Sequence, residues 1–313
     1  MAPSQPKTSK FRAGWELAKS AWRVLKLDKE LSLLPLLSAA LGVLTLVVIG
    51  GLYFAVGGIQ TQGSITDSSA SFGMSGGDVP GWVNLLFGMV VYFSMTVIAN
   101  FFGGAVIYGA VERFRGGDPT VKSSLAGVRR KFRPLLLFSL MMATIGFALQ
   151  ALEQRLPLAG KIAVWLVGAA WNIANFFAIP IIVMSDEDVH PFDATRGSVG
   201  MIKKVWGESV VASAGVGIVF LLGFIVYLVT IGLVGAVSGA LISVLHVSGW
   251  FMLPVAILAV LGFAVFMLLF ATLDSIVRAA LYHYATTGKA PEQFNQELLR
   301  STITPKKARK IFN

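Results

Sequence analysis

The chain is 313 residues long, yet only 13% of it is charged and 55% is apolar, with a mean hydropathy of +0.74. Soluble domains carry about a quarter charged residues, so the composition excludes them and implies a solvent that is largely lipid. The formal charge of +10 would suggest nucleic acid in a soluble protein. Here the Lys and Arg stand beside long apolar runs, where anionic headgroups are the nearer partner and nucleic acid is not expected. With no cysteine, disulfides, thiolate metal sites and thiol nucleophiles are excluded.

The first ten residues are polar and do not read as a cleavable signal. Phe11, Trp15, Ala18, Trp22 and Leu25 then recur at helical spacing, with Arg12, Lys19, Arg23 and Lys26 elsewhere on the wheel. A helix with aromatics on one face and cations on another is expected to lie in the headgroup plane. The first apolar run long enough to cross about 30 Å of hydrocarbon extends from about Leu31 to Gly57, and the second from about Trp82 to Gly109. Residues 58–81 between them hold no Lys or Arg, only Asp67 and Asp78. A second amphipathic segment follows, with Val121, Leu125, Val128 and Phe132 among Lys122, Arg129, Arg130 and Lys131. Spans from about Leu135 to Leu152 and from about Ile162 to Met184 come next. The third basic segment sets Thr195, Val199, Ile202 and Trp206 beside Arg196, Lys203 and Lys204.

No charge interrupts Ser209 to Leu245, which as one helix would be about 55 Å long, too long for a simple crossing. Counting Lys and Arg resolves the topology. The N-terminal segment, the second and fourth connections and the C-terminal end hold 24 of the 26, which by the positive-inside rule places all four in the cytoplasm. The crossings after residue 209 must then be even in number. Helix five is predicted over about 209–231, followed by a kinked Gly-rich segment, a turn near His246–Gly249, and helix six.

The predicted architecture is all-α and integral to the membrane: six crossings as three hairpins, each preceded by a basic amphipathic interfacial helix. Residues 1–30 form a cytoplasmic tail and interfacial helix, 31–288 the transmembrane domain, and 289–313 a basic amphipathic cytoplasmic tail. That tail places Phe294, Leu298, Leu299 and Ile303 at helical spacing and ends in Lys306–Lys310. The second and third units repeat at 72 to 74 positions, opening with Asp118-Pro119 and His190-Pro191.

The opening Phe11-x-x-x-Trp15, Ser20, Val24-Leu25-Lys26, Asp28-Lys29-Glu30-Leu31 and Pro35 resembles the start of an uncharacterised prokaryotic membrane-protein family, domain of unknown function 6159. The close of the last span, Ala279-Ala280-Leu281-Tyr282-x-Tyr284-Ala285 with Gly288, Pro291 and Phe294, resembles that family's end. The resemblance spans nearly the whole chain. It implies a multi-pass plasma-membrane protein of a bacterium or archaeon, and it carries no known activity or site residues.

Chemistry-bearing residues within the spans are few. Asp274 with Arg278 at i+4, Asn100, and the pair Asn172 and Asn175 are the candidates for a polar substrate path, against a reading of the amides as interhelical glue. Lys19, Arg23, Lys26, Arg129, Arg130, Lys131, Lys203 and Lys204 are the candidates for lipid headgroups on the cytoplasmic leaflet. Asp186-Glu187-Asp188, His190 and Asp193 read as helix capping and charge balance rather than a metal site. No phosphate loop, metal-ligand spacing, Ser/His/Asp arrangement or acid–base pair is present, so neither a cofactor nor enzymatic activity is expected. Gly103-Gly104, Gly109 and Gly235-x-x-x-Gly239 permit close helix approach, including contact between subunits. The expectation is a structural, assembly or lipid-organising membrane protein. The alternative is a transporter or channel around Asn100, Asn172 and Asn175.

Overall fold

A computed structural model describes residues 10–66, 69–77, 79–206, 210–245, 250 and 252–294. Ten α-helices dominate the described residues: α1 (Lys10–Leu27), α2 (Leu33–Ala55), α3 (Gly81–Phe114), α4 (Val121–Arg129), α5 (Phe132–Arg155), α6 (Leu158–Ala174), α7 (Ala178–Met184), α8 (Pro191–Trp206), α9 (Val210–Leu245) and α10 (Met252–Thr287). Six helical stretches are long and apolar enough to cross a membrane: Lys29–Ala55, Gly81–Phe114, Phe132–Arg155, Leu158–Met184, Val219–Ile242 and Met252–Thr287.

Proline positions explain the helix boundaries. Pro35, Pro134, Pro191 and Pro254 all lie in first turns, where a missing N–H costs nothing. Pro180 is different, because it falls inside the fourth span. It cannot donate to the carbonyl of Phe176 and its ring crowds that carbonyl, so the span breaks at Asn175–Phe177 and restarts as α7.

The packed core gathers at one end of the bundle. Leu17, Ala21 and Val24 of α1, Leu31, Ala105–Ile107, Ala110 and Val111 of α3, Val128 of α4, Ile182 of α7, Ala194 of α8 and Ile276, Val277 and Ala279–Leu281 of α10 form one buried cluster. This is also the end where Lys and Arg concentrate. α3 runs through its middle, touching α2, α4, α5, α7 and α10. Two glycines let it do so: at Gly104 an added Cβ would lie 3.1 Å from Val183, and at Gly109 2.5 Å from Ser124 Oγ and 2.6 Å from Leu31. Toward the other end few side chains are buried, although Tyr92 of α3 lies against Gly146 of α5 and the pairs α2–α3, α5–α6 and α9–α10 stay in contact. Their outward leucines and valines, such as Val43, Leu44, Val47, Leu228, Val229 and Leu233, are exposed. In water that surface would aggregate, whereas in hydrocarbon it costs nothing.

The structure corrects the reading of the fifth span. Residues 210–245 form one continuous α9 of 36 residues, with no break at 231. The Tyr227 hydroxyl donates to the Ala259 carbonyl, which sets those two residues level with each other. From that level α9 continues to Leu245 while α10 reaches back only to Met252, so α9 is about 16 Å longer on that side. The surplus length is helix rather than a second element; the predicted turn at 246–249 lies outside the described residues. Between α2 and α3 lies a feature the sequence did not announce, an antiparallel ribbon pairing β1 (Ile59–Thr66) with β2 (Ser69–Gly76). The C-terminal tail beyond Phe294, including Lys306–Lys310, also lies outside the described residues.

Candidate functional site

Between α2, α3 and α10 lies a cavity of about 380 Å³, close to the buried cluster. Small residues open it: Ser38 and Ala39 on α2, Ala99 and Gly103 on α3, Ala271 and Ser275 on α10. Asn100, Asp274 and Arg278 line it, so two elements of the expected polar path come together here. Each has a local partner. Arg278 Nε donates to Asp274 Oδ2 at 2.7 Å, and its guanidinium carbon sits 4.9 Å from the centre of the Phe176 ring, at the break in the fourth span. Asn100 Nδ2 donates to Ser139 Oγ on α5 at 2.9 Å, and Ser139 Oγ donates to the Leu135 carbonyl. Asn100 is therefore glue and lining together.

The other two amides do not join them. Asn172 faces outward from α6 among exposed residues such as Trp165 and Leu166. Asn175 is buried beside the helix break, where its Nδ2 donates to the Trp171 carbonyl and its Oδ1 accepts from Thr195 Oγ1 at 2.6 Å. Thr195 and Ser198 belong to α8, and Ser198 Oγ accepts from the Phe177 N–H at 3.0 Å. The Phe177 N–H, freed where the helix breaks, is thus held by the third basic helix. The polar groups of this span serve packing, and Asn172 and Asn175 do not share a face toward the cavity.

The cationic candidates divide similarly. Lys19, Arg23, Lys26, Arg129, Arg130 and Lys203 are exposed around the packed end. Arg23 also donates to Ser20 Oγ, and the Lys26 ammonium lies 5.9 Å above the Trp22 ring. Lys131 is committed elsewhere: its Nζ donates to the carbonyls of Asp186 and Glu187 at 3.0 and 2.9 Å and pairs with Asp188 at 3.3 Å. The acidic run after α7 therefore serves as an anchor for Lys131. The Lys204 side chain lies outside the described residues.

The α1 face buried in the bundle is Leu17, Ser20, Ala21 and Val24, while Trp15 and Trp22 remain half exposed. α4 is pinned by a Thr120–Ser123 capping box, and the Val121 N–H donates to Glu30 Oε2 at 3.0 Å. Sequence reasoning missed the strongest electrostatic feature of this end. Arg113 at the foot of α3 grips buried Asp28 through both Nε and Nη2, and Asp118 at 2.6 Å. Asp28 was visible only as part of a motif; nothing in its spacing points to a partner 85 residues away.

Six apolar helices with a densely packed basic end define a multi-pass helical membrane protein. The chain belongs to a family of unknown function, DUF6159, whose model matches residues 80–292. No curated protein and no solved structure matches it. The closing motif from Ala279 to Pro291 falls within the match; the opening motif from Phe11 to Pro35, and Phe294, fall outside it.

Proposed function

We propose that this protein is a non-enzymatic organiser of anionic lipid in the cytoplasmic leaflet of a prokaryotic plasma membrane. Both termini are cytoplasmic in this reading, and α1, α4 and α8 rest at headgroup level. One observation carries it: α1, α4 and α8 each pack into the buried cluster and each leave cations exposed there (Lys19, Arg23, Lys26; Arg129, Arg130; Lys203). Each Lys or Arg near an anionic surface contributes about 1 kcal/mol, so together they favour acidic headgroups by several kcal/mol. The apolar ends of the spans, meanwhile, offer lipid only exposed hydrocarbon.

The test is lipid retention. Protein extracted in mild detergent should carry phosphatidylglycerol or cardiolipin in excess of its bulk fraction. Arg129→Gln with Arg130→Gln should reduce that excess, whereas retention of neutral lipid alone, unchanged by the substitutions, would contradict the reading.

Transport is the second reading, favoured by the cavity that joins Asn100 to the Asp274–Arg278 pair and by the broken fourth span beside it. It predicts a saturable flux in proteoliposomes that is lost in Asp274→Asn. Contact between subunits through Gly235 and Gly239, which have open space around them, belongs to either reading.

A further inference from the structure

A second concavity, apart from the polar cavity, runs along α1. It measures about 440 Å³ and is lined only by apolar residues, among them Trp15 and Trp22 of α1, Leu222 and Val226 of α9, and Phe266 and Phe270 of α10. Its α9 wall, from Val219 to Val226, is the first two turns of the apolar stretch Val219–Ile242. The groove therefore opens at the edge of the hydrocarbon, on the basic side. Water gains little there, since the indole N–H groups of Trp15 and Trp22 are the only hydrogen-bonding side-chain groups among the lining residues.

The helix that forms the roof is cationic immediately beside the groove. Trp15, Lys19, Trp22 and Lys26 are spaced by four, three and four residues, which puts them on one stripe of α1. Lys26 already leans over the Trp22 ring. Next to the stripe, Glu16, Lys19 and Arg23 line a polar hollow of about 260 Å³. One helix thus separates a dry slot from a hollow in which Lys19 and Arg23 outnumber Glu16, and it carries Lys26 on the same stripe as the groove's tryptophans. A dry slot bordered by net positive charge complements an amphiphile with an anionic head.

We infer that this groove binds a single anionic phospholipid, one acyl chain lying between α1 and the α9–α10 pair, its phosphate held by Lys19, Arg23 and Lys26. The inference deepens the lipid-organising proposal and rests on its placing of the basic end among headgroups. A neutral lipid would fill the slot equally well and gain nothing from the cations, so selectivity belongs to α1 and occupancy to the groove.

The full chain in nanodiscs of phosphatidylcholine with a minor fraction of phosphatidylglycerol provides the test. A phosphatidylglycerol with a diazirine in one acyl chain is photolysed, and the adducts are mapped by peptide mass spectrometry. Adducts are expected at Trp22, Leu222 and Phe266, displaced by unlabelled phosphatidylglycerol and poorly by phosphatidylcholine. Leu222→Trp fills the slot from its exposed wall and Ala18→Trp from its roof; each should remove most of the adduct, and the first spares the fold if the second does not. Lys19→Gln and Lys26→Gln should each reduce the preference for phosphatidylglycerol about fivefold while leaving the slot able to take a neutral probe. Adducts spread evenly along α9 as far as Leu233, or surviving both fillers, overturn the inference. If that happens while Arg129→Gln with Arg130→Gln still sheds anionic lipid, the broader proposal stands without the groove; if both fail, both fall.

Discussion

Asp28 is the residue on which the packed end turns. Its side chain is 4% exposed and meets Arg113 through both carboxylate oxygens, while Asp118, on the far side of the same guanidinium, is 89% exposed. A carboxylate lost from a buried pair leaves its partner's charge uncompensated, whereas an exposed one is replaced by water. Asp28→Asn should therefore lower stability by about 3 kcal/mol, read as a clear fall in Tm in detergent. Asp118→Asn should change it by less than about 1 kcal/mol. Equal effects would show that the burial of Asp28 does not matter. Ser124 makes the opposite case. Its hydroxyl is buried with no hydrogen-bond partner, so Ser124→Ala should leave Tm unchanged or raise it by up to about 1 kcal/mol in stability. A marked loss would reveal a partner for that hydroxyl.

At the scale of elements, the break in the fourth span depends on α8. Ser198 Oγ accepts from the Phe177 N–H and Thr195 Oγ1 donates to Asn175, so the helix that follows the span holds the turn that interrupts it. Ser198→Ala should cost about 1 kcal/mol and increase amide exchange at Phe177, while Thr230→Ala, whose hydroxyl only bonds back within exposed α9, should do neither. Glycines divide in the same manner. Gly109→Ala forces a Cβ into Ser124 and Leu31 and should cost about 1–3 kcal/mol, whereas Gly235→Ala meets open space and should be neutral for the monomer. If Gly235→Ala instead disrupts a purified oligomer, that face is a subunit contact.

These elements also show what a sequence discloses about a membrane protein. Span existence follows from a charge-free run, because hydrocarbon tolerates nothing else, and all six were legible on that ground. Span ends were not. α3 and α10 run on to Phe114 and Thr287, past the apolar runs, because the packed end buries residues such as Val111 and Leu281. α9 stayed whole because a parity argument fixes the number of crossings but not the length of a helix. Pro180 could have announced the break, yet a proline near a span's end is ambiguous with a first-turn proline. Of the polar candidates, Asn100 and Asp274 converge because α3 and α10 pack together, a contact between distant segments that spacing within either helix does not encode.

For the whole molecule, the governing feature is asymmetry: a basic end packed like a protein interior, and a far end of helix pairs that expose hydrocarbon to lipid. The buried core, the polar cavity, the apolar groove beside α1 and the exposed cations of α1, α4 and α8 all belong to the basic end. If that end lies at the cytoplasmic leaflet, an impermeant probe must find the two ends of the bundle on opposite sides of the membrane. The native chain has no cysteine, so single substitutions report cleanly. In intact cells an impermeant maleimide should label Ser69→Cys in the β-ribbon and Gln154→Cys in the last turn of α5, while Ala126→Cys on α4 should react only after the membrane is opened. Labelling of Ala126→Cys in intact cells, with Ser69→Cys and Gln154→Cys protected, would contradict the account.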